Sequence, residues 1–383
     1  MKIVLFGPVF PFRGGIAQFG GVLARSLEAA GHEVHLVNFK KQFPRLLFPG
    51  KTQFDDSPQA LRVPSVRVFV PWNPLSWRRT AREIERHSPD LIVFQWWMPF
   101  FGLGYWGVIR ALGKRSRERL VFLLHNVIPH ERRPGDRFLS RLALRKARYY
   151  VPLSRTEERE MHRLFPEVPH DSVRYSPHPI YDCYRPFEGS REEARNRIGI
   201  HASRLLLFFG FVRQYKGLDL LLRAMPEILK RDPNLKLVIV GEFYQDREPC
   251  DRQIRDLGIS EAVVIREGYI SGDDVGPYFA AADCVVLPYR SATQSGIVQV
   301  AYALATPVIT TRVGGLAEVV KDCVTGYIVP PEDAGAIAAA VSRFFEAGGR
   351  AAFEPNVRSE ARRYSWEAMV ETITSFAGRP IEH

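Results

Sequence analysis

The 383-residue chain reads as an α/β protein built from two parallel-sheet domains. Three observations predict it. Short apolar runs alternate with stretches of helical spacing along the chain, the pattern of strands joined by crossover helices. The length exceeds what one small core organises and suits two domains of ordinary size. In the second half, two apolar runs break at a glycine-bearing loop and feed a helix: Leu205–Phe208 leads into residues 209–217, and Cys284–Pro288 leads into Thr293-Gln294-Ser295-Gly296. Parallel sheets take their ligands at the carboxyl ends of the strands, so two domains facing each other place a functional cleft between them.

The first half opens with strand Lys2–Phe6, loop Gly7–Gly15 and helix Ile16–Ala30, which Gly31 stops. Strands are expected at Glu33–Phe39, Val66–Val70, Leu91–Gln95, Leu120–Leu124 and Tyr149–Leu153, with a basic helix over Arg141–Arg148. In the second half, strand Leu205–Phe209 leads to helix Leu218–Lys230 and strand Lys236–Val240. Strand Ala262–Arg266, helix Asp273–Ala281 and strand Cys284–Leu287 follow. Helix Gly296–Leu304, strand Pro307–Thr310 and helix Leu316–Val320 come next, then strand Tyr327–Val329 and helix Ala334–Phe345. The proline-rich, polar stretch Pro177–Ser190 reads as the linker. The domains are thus expected over residues 1–180 and 186–362, each Rossmann-like, with a helix at about 363–383 packing back on the first.

Composition narrows the function. A hydrophobic share of 46% with 25% charged residues is that of a soluble globular chain, not a disordered or fibrous one. Cys183, Cys250, Cys284 and Cys323 show no Cys-x-x-Cys spacing, against a zinc site or disulfide framework and for a reducing compartment. The N-terminus lacks a secretory signal: its apolar run is short, interrupted by Pro8 and Pro11, and no small-residue cleavage site follows. Residues 91–109 carry no formal charge, yet Gln95, Pro99 and three glycines break the run. It reads as a buried strand, an aromatic loop and a helix start rather than a span. Residues 1–190 hold 30 Lys and Arg against 17 Asp and Glu, so the net +11 sits entirely in the first half. A basic half suits an anionic membrane, a pyrophosphate-bearing acceptor or nucleic acid. No helix-turn-helix, zinc or RNA-binding motif accompanies the charge, which argues against nucleic acid.

A strand that breaks at glycine and feeds a helix directs unpaired backbone N–H groups at one point, where a phosphate binds well. Arg213 and Lys216 add two cations beside the first such point.

These residues carry a resemblance. In order, FGFVRQYKGLDLLLRAM, KLVIVGE, EGYISGDDVGPYFAAADCVVLPY, SGIVQVAYALATPVITTRVGGLAEVV and TGYIVPPED resemble the GT-B-fold glycosyltransferases of the large retaining family 4. The likeness covers most of the chain and is densest over residues 205–347. It implies a nucleotide diphosphate sugar as donor, no further cofactor and no metal. It also implies that Arg213 and Lys216 contact the donor diphosphate, with Gly14-Gly15 facing the phosphates and His125 ending a strand near the donor sugar. His130 and Glu131 follow closely enough to be candidates for acceptor binding or proton transfer.

One stretch departs from the family. Two glutamates eight residues apart are usual around the second loop, one for the sugar and one for the ribose. Here Thr293 or Gln294 replaces the first, and the second falls on Val300 or Ala301. Thr293, Gln294, Ser295, Gly296 and Ile297 still offer hydroxyls, an amide and backbone N–H groups, so phosphate binding survives while ribose recognition loses its carboxylate. Glu318, after Gly314-Gly315, matches another frequent family glutamate and equally suits a helix cap. The resemblance therefore allows two classes: a hexosyltransferase, or a weakened sugar-nucleotide- or polysaccharide-binding relative.

On the acceptor side, Trp96 and Trp97 are expected either to line a groove or to pack the interior. Lys40, Lys41, Phe43, Arg45, Phe48 and Lys51 interleave cations with apolar side chains, as a membrane-docking segment does. Together they suggest a lipid-linked or cell-surface glycan acceptor and a cytoplasmic chain held at the inner face of a membrane.

Overall fold

The computed structural model describes residues 1–44, 52–55, 60–128, 133–244, 246–268, 270 and 272–377. The chain divides into two compact units. The first is Met1–Pro179 joined by the stretch that begins at Ser365, and the second is Ile180–Tyr364.

Unit 1 begins with β1 (Lys2–Phe6), α1 (Gly15–Ala29), β2 (Glu33–Phe39) and β3 (Val66–Phe69). Then come α2 (Pro74–Arg86), β4 (Leu91–Trp96), α3 (Gly102–Ala111), α4 (Lys114–Arg117) and β5 (Leu120–Leu124). It closes with α5 (Asp136–Leu144), β6 (Tyr149–Pro152) and α6 (Arg155–Leu164). Unit 2 runs α7 (Arg191–Arg197), β7 (Leu205–Phe209), α8 (Leu218–Arg231), β8 (Lys236–Gly241), α9 (Glu248–Asp256) and β9 (Val263–Glu267). It continues with α10 (Gly272–Ala281), β10 (Cys284–Leu287), α11 (Gly296–Ala303), β11 (Val308–Thr311) and α12 (Leu316–Val319). β12 (Gly326–Val329), α13 (Ala334–Glu346) and α14 (Arg350–Ala361) complete unit 2, and α15 (Trp366–Thr374) belongs to unit 1.

Each unit holds a six-stranded, all-parallel sheet. The strand order is β3-β2-β1-β4-β5-β6 in the first and β12-β11-β10-β7-β8-β9 in the second. Counted from its own first strand, each sheet has the order 3-2-1-4-5-6. The winding reverses between β1 and β4 in unit 1 and between β7 and β10 in unit 2. Loops leaving the two strands at that switch point diverge to opposite faces and open a crevice at the carboxyl edge, where open α/β sheets take their ligands. The loops that follow β1, β7 and β10 are the glycine-bearing segments read from the sequence.

The central strands are buried on both faces, as β4 (LIVFQW) and β5 (LVFLL) show by being buried at every position, whereas the edge strands β3 and β9 are partly exposed. Phe6, Phe39, Phe69, Phe94, Tyr105 and Phe122 interlock edge-to-face in unit 1. The basic helix differs from expectation. It runs Asp136–Leu144 rather than Arg141–Arg148, because left-handed Gly135 and Asp136, whose Oδ2 accepts from Arg133 N at 2.7 Å, start it earlier. No helix among the described residues is long and apolar enough to cross a membrane.

Candidate active site

In unit 2 the β7 loop is shaped by two close approaches. Gly217 is left-handed (φ +66°), and a Cβ there would sit 2.0 Å from Pro288 O. A Cβ on Gly210 (φ +101°) would meet Lys216 Nζ at 3.1 Å and Ile297 Cδ1 at 3.2 Å. Glycine at these positions brings the β7 loop, the end of β10 and the start of α11 into contact. Arg290 then locks the arrangement. Its N–H donates to Tyr215 O (2.7 Å), and its guanidinium reaches Gln214 O (2.9 Å), Asp219 (2.6 and 2.8 Å) and Glu332 (2.7 Å).

Lys216 lies at the bottom of this loop, only 7% exposed. Its ammonium sits 5.6 Å from the Tyr289 ring centroid, and among the described residues no carboxylate is within ion-pair distance. Burial, reinforced by the neighbouring Arg213 charge, pulls its pKa down to about 7. Arg213 is half-buried, its guanidinium 4.6 Å over the Tyr244 ring, which packs in turn on Phe211 at 4.7 Å. The backbones are laced by Val212 N to Glu242 O (2.9 Å) and Tyr244 N to Val212 O (3.2 Å). Burial and the Arg213 charge both oppose the Lys216 ammonium, and an anion beside it would offset both.

The second loop supplies the complement. Ser295 caps α11, accepting from Ile297 N at 3.3 Å, and its hydroxyl is 3.4 Å from Tyr289 Oη. Thr293 O accepts from Gly315 N (2.9 Å), and a Cβ on Gly314 would lie 1.5 Å from Ala292 O, so the β11 exit braces this loop. Thr293, Gln294, Ser295, Gly296 and Ile297 are all half-buried. Glu318 lies in the first turn of α12, its N–H bonded to Gly315 O. Arg213, Lys216, Ser295, Gly296 and Ile297 therefore share one edge of one sheet. Tyr244, Tyr289 and Arg290 are additions that the sequence offered only as unremarkable surface-type residues.

In unit 1, Gly14 takes φ +101° and ψ 169°, open to no bulkier residue without strain, and its carbonyl accepts from Ala17 N and Gln18 N as α1 begins at exposed Gly15. His125 follows β5 and is buried, its N–H bonded to Trp96 O at 2.8 Å. Gln95 Nε2 donates to Pro8 O (3.4 Å), which turns Gln95 Oε1 to His125 Nε2 (3.3 Å) and makes that nitrogen the protonated one. Gly7 and Gly20 leave the room for Gln95, since a Cβ on either would lie 2.5 Å from its amide nitrogen. Phe19 packs edge-on against both His125 (4.7 Å) and buried His178 (5.1 Å). Burial, then His178, holds His125 well below the usual imidazole range, and burial lowers His178 to about 4. Both rings are neutral at pH 7.

Other candidates fare differently. Trp96 is no groove residue: it is fully buried, donating from Nε1 to Val127 O at 3.4 Å, because it ends a strand covered on both faces. Trp97 is nearly buried, packed on Phe39 and Phe101. Phe43 is half-buried, stacked on Phe100 (5.6 Å) and tilted against Phe101 (5.3 Å) at the edge of the core, while Lys40 and Lys41 are exposed. His130, Glu131, Arg45, Phe48 and Lys51 lie outside the described residues.

Two parallel 3-2-1-4-5-6 sheets in successive units are the architecture of the GT-B fold. Residues 13–181 match the Glycosyltransferase Family 4 model and residues 203–347 the Glycosyl transferases group 1 model. The chain carries both of these glycosyltransferase domains, one in each unit. It is 28% identical over 281 residues to the D-inositol 3-phosphate glycosyltransferase of Acidothermus cellulolyticus, covering 70% of this chain and 61% of that protein. It thus spans about three fifths of that relative's length. An uncharacterised glycosyltransferase of Methanocaldococcus jannaschii is 27% identical over 398 residues, with 98% of each chain covered. Among solved structures, Anabaena HepE in complex with UDP matches the fold with a TM-score of 0.74 at 18% identity, covering 98% of this chain and 99% of that one.

Proposed function

We propose that the chain moves a hexosyl unit from a nucleotide diphosphate sugar to a hydroxyl of a lipid-linked or cell-surface glycan precursor. Anomeric configuration is retained and no metal takes part. One observation carries this reading: the buried, carboxylate-free Lys216 beside Arg213 at the switch point of the second sheet. Structures of Anabaena HepE with UDP and with UDP-glucose support a donor of that class. The sugar–phosphate C–O bond breaks, an acceptor C–O bond forms at the same face, and the acceptor proton passes to the departing phosphate oxygen. As negative charge builds on that diphosphate, Arg213, Lys216 and the N–H groups at Ser295-Gly296 stabilise it, which is where a transferase gains rate. The acceptor meets the basic unit 1 at a membrane's inner face.

Turnover of labelled UDP-, GDP-, ADP- and dTDP-sugars tests the reading. Transfer or slow hydrolysis of one of them is expected. A second reading, a binding relative without catalysis, draws on the replacement of both family glutamates in the 293–301 stretch. Binding without turnover of any of these sugars would select it.

A further inference from the structure

Nine large hydrophobic side chains are exposed among the described residues, and five of them (Trp72, Leu75, Phe100, Leu103 and Phe138) converge on one place in unit 1. The convergence is set by glycines on α3. Leu139 O sits 2.4 Å from where a Cβ on Gly102 would be, and Pro71 O sits 2.8 Å from the same position on Gly104. The Trp77 ring fills the space at Gly107, and Trp77 Nε1 donates to Pro71 O at 3.0 Å. The backbones that carry Trp72 and Phe138 are thereby pressed against the first turn of α3, on either side of Leu103.

α2, α3 and α5 each follow a strand of the same parallel sheet. Their N-termini therefore share its carboxyl edge, the edge that holds Gly14 and His125. Each helix repeats one arrangement: an apolar side chain in its first turn and an exposed arginine seven residues on. The pairs are Leu75 with Arg82, Leu103 with Arg110, and Phe138 with Arg145. Seven helical residues advance about 10 Å, two turns, so each arginine stands on its partner's side of the helix and roughly 10 Å above the tip. Arg78, Arg79 and Arg137 are also exposed. Acids are scarce or occupied. Glu83 faces Arg86 and His87, Glu85 accepts from Gly113 N and Ser116 Oγ, and Asp136 accepts from Arg133 N in the turn before its helix. Glu167 is the exception, within 3.2 Å of Arg145 and 3.6 Å of Arg141.

We propose that this apolar tip with its raised collar of arginines is the surface by which unit 1 docks on an anionic lipid bilayer. Leu75, Leu103 and Phe138 enter the acyl boundary while the guanidinium groups remain at the depth of the lipid phosphates. An interface of this thickness matches the headgroup layer, and three helix N-termini directed at it favour negative charge. A protein partner has no need of cations set back by the same two turns on three separate helices. The inference rests on the reading of the acceptor as lipid-linked, and it moves the docking face from the 40–51 segment to the tips of α2, α3 and α5.

Flotation with phosphatidylglycerol–phosphatidylcholine vesicles tests it, with phosphatidylcholine vesicles as control. The native chain is expected to float with the anionic vesicles at low salt and to be released by salt. Leu103→Ser with Phe138→Ser, and separately Arg78→Ser with Arg82→Ser, should each weaken binding roughly 30-fold. Both variants should keep the melting temperature and the turnover of sugar nucleotide in solution. Failure of the native chain to float, equal flotation by the Leu103/Phe138 variant, or a dimer that this variant breaks would each overturn the proposal. Flotation without any sugar-nucleotide turnover would leave docking intact and sink the transferase reading instead.

Discussion

Lys216 should couple diphosphate binding to pH. In the empty site its pKa is about 7, against about 10.4 for an exposed lysine. A diphosphate beside it restores the charged form, because the anion supplies the attraction that burial removed. The bound ligand therefore favours the protonated amine, and affinity falls wherever the free site has already lost its proton. Below pH 7 the proton is in place and binding is flat. Between pH 7 and 9 the free amine goes from half to about one hundredth protonated, so Kd for UDP should rise roughly 50-fold. Burial raises Tyr289 well above this window, and a terminal phosphate ionises near pH 6, below it. Calorimetry of UDP binding from pH 6.5 to 9, in buffers of different ionisation enthalpy, reads both Kd and proton uptake. Lys216→Met should abolish the pH slope. The same lowered pKa implies a burden on the ligand-free fold of up to roughly 5 kcal/mol at or below pH 7, relieved as pH rises toward the unfolded value. Lys216→Met should accordingly melt higher than the native chain when no ligand is present. A Kd for the native chain that stays constant from pH 7 to 9, with no proton uptake, would refute the reasoning.

Four further outcomes follow from single residues. Arg213→Ala should lower kcat by about 2–4 kcal/mol of lost transition-state stabilisation. Tyr244→Ala should show a milder loss, since its ring face packs against the Arg213 guanidinium; steady-state kinetics on the identified donor reads both. Gly314→Ala places a methyl against Ala292 O at a left-handed backbone (φ +46°), which should destabilise by roughly 3 kcal/mol and weaken UDP binding by displacing Thr293. Ala305 itself is held at φ +51°, so Ala305→Gly should stabilise by about 1 kcal/mol, visible as a melting shift of about 3 °C.

Much of this molecule was legible in its sequence, and the reasons are local. Strands β7 (LLLFF) and β10 (CVVL) were readable because central parallel strands are short unbroken apolar runs. Thin or charged crossover helices were not: α6 (RTEEREMHRL) buries little beyond Glu157 and Met161 and has almost no apolar stripe to read. The α5 shift came from a helix start written as Gly-Asp, which carries weaker pattern than the arginines behind it. Among site residues, Arg213 and Lys216 were visible through their spacing after a strand. Gln95, which sets the tautomer of His125, looked like a flaw in an apolar run because its partners are far away in sequence.

Sequence alone determined the alternation of strands and helices, the glycines where backbones must bend left-handed, and the cations of the β7 loop. These depend on neighbours within a few residues, where steric and hydrogen-bonding rules act directly. Tertiary structure alone decided that Lys216 is buried with no carboxylate in ion-pair reach among the described residues, that Trp96 belongs to the core, and that Arg290 ties two loops into one site. Those properties arise from residues tens of positions apart, brought together by sheet order. Burial and charge pairing, which set what a lysine or a tryptophan can do, are properties of that assembled neighbourhood and not of the residue.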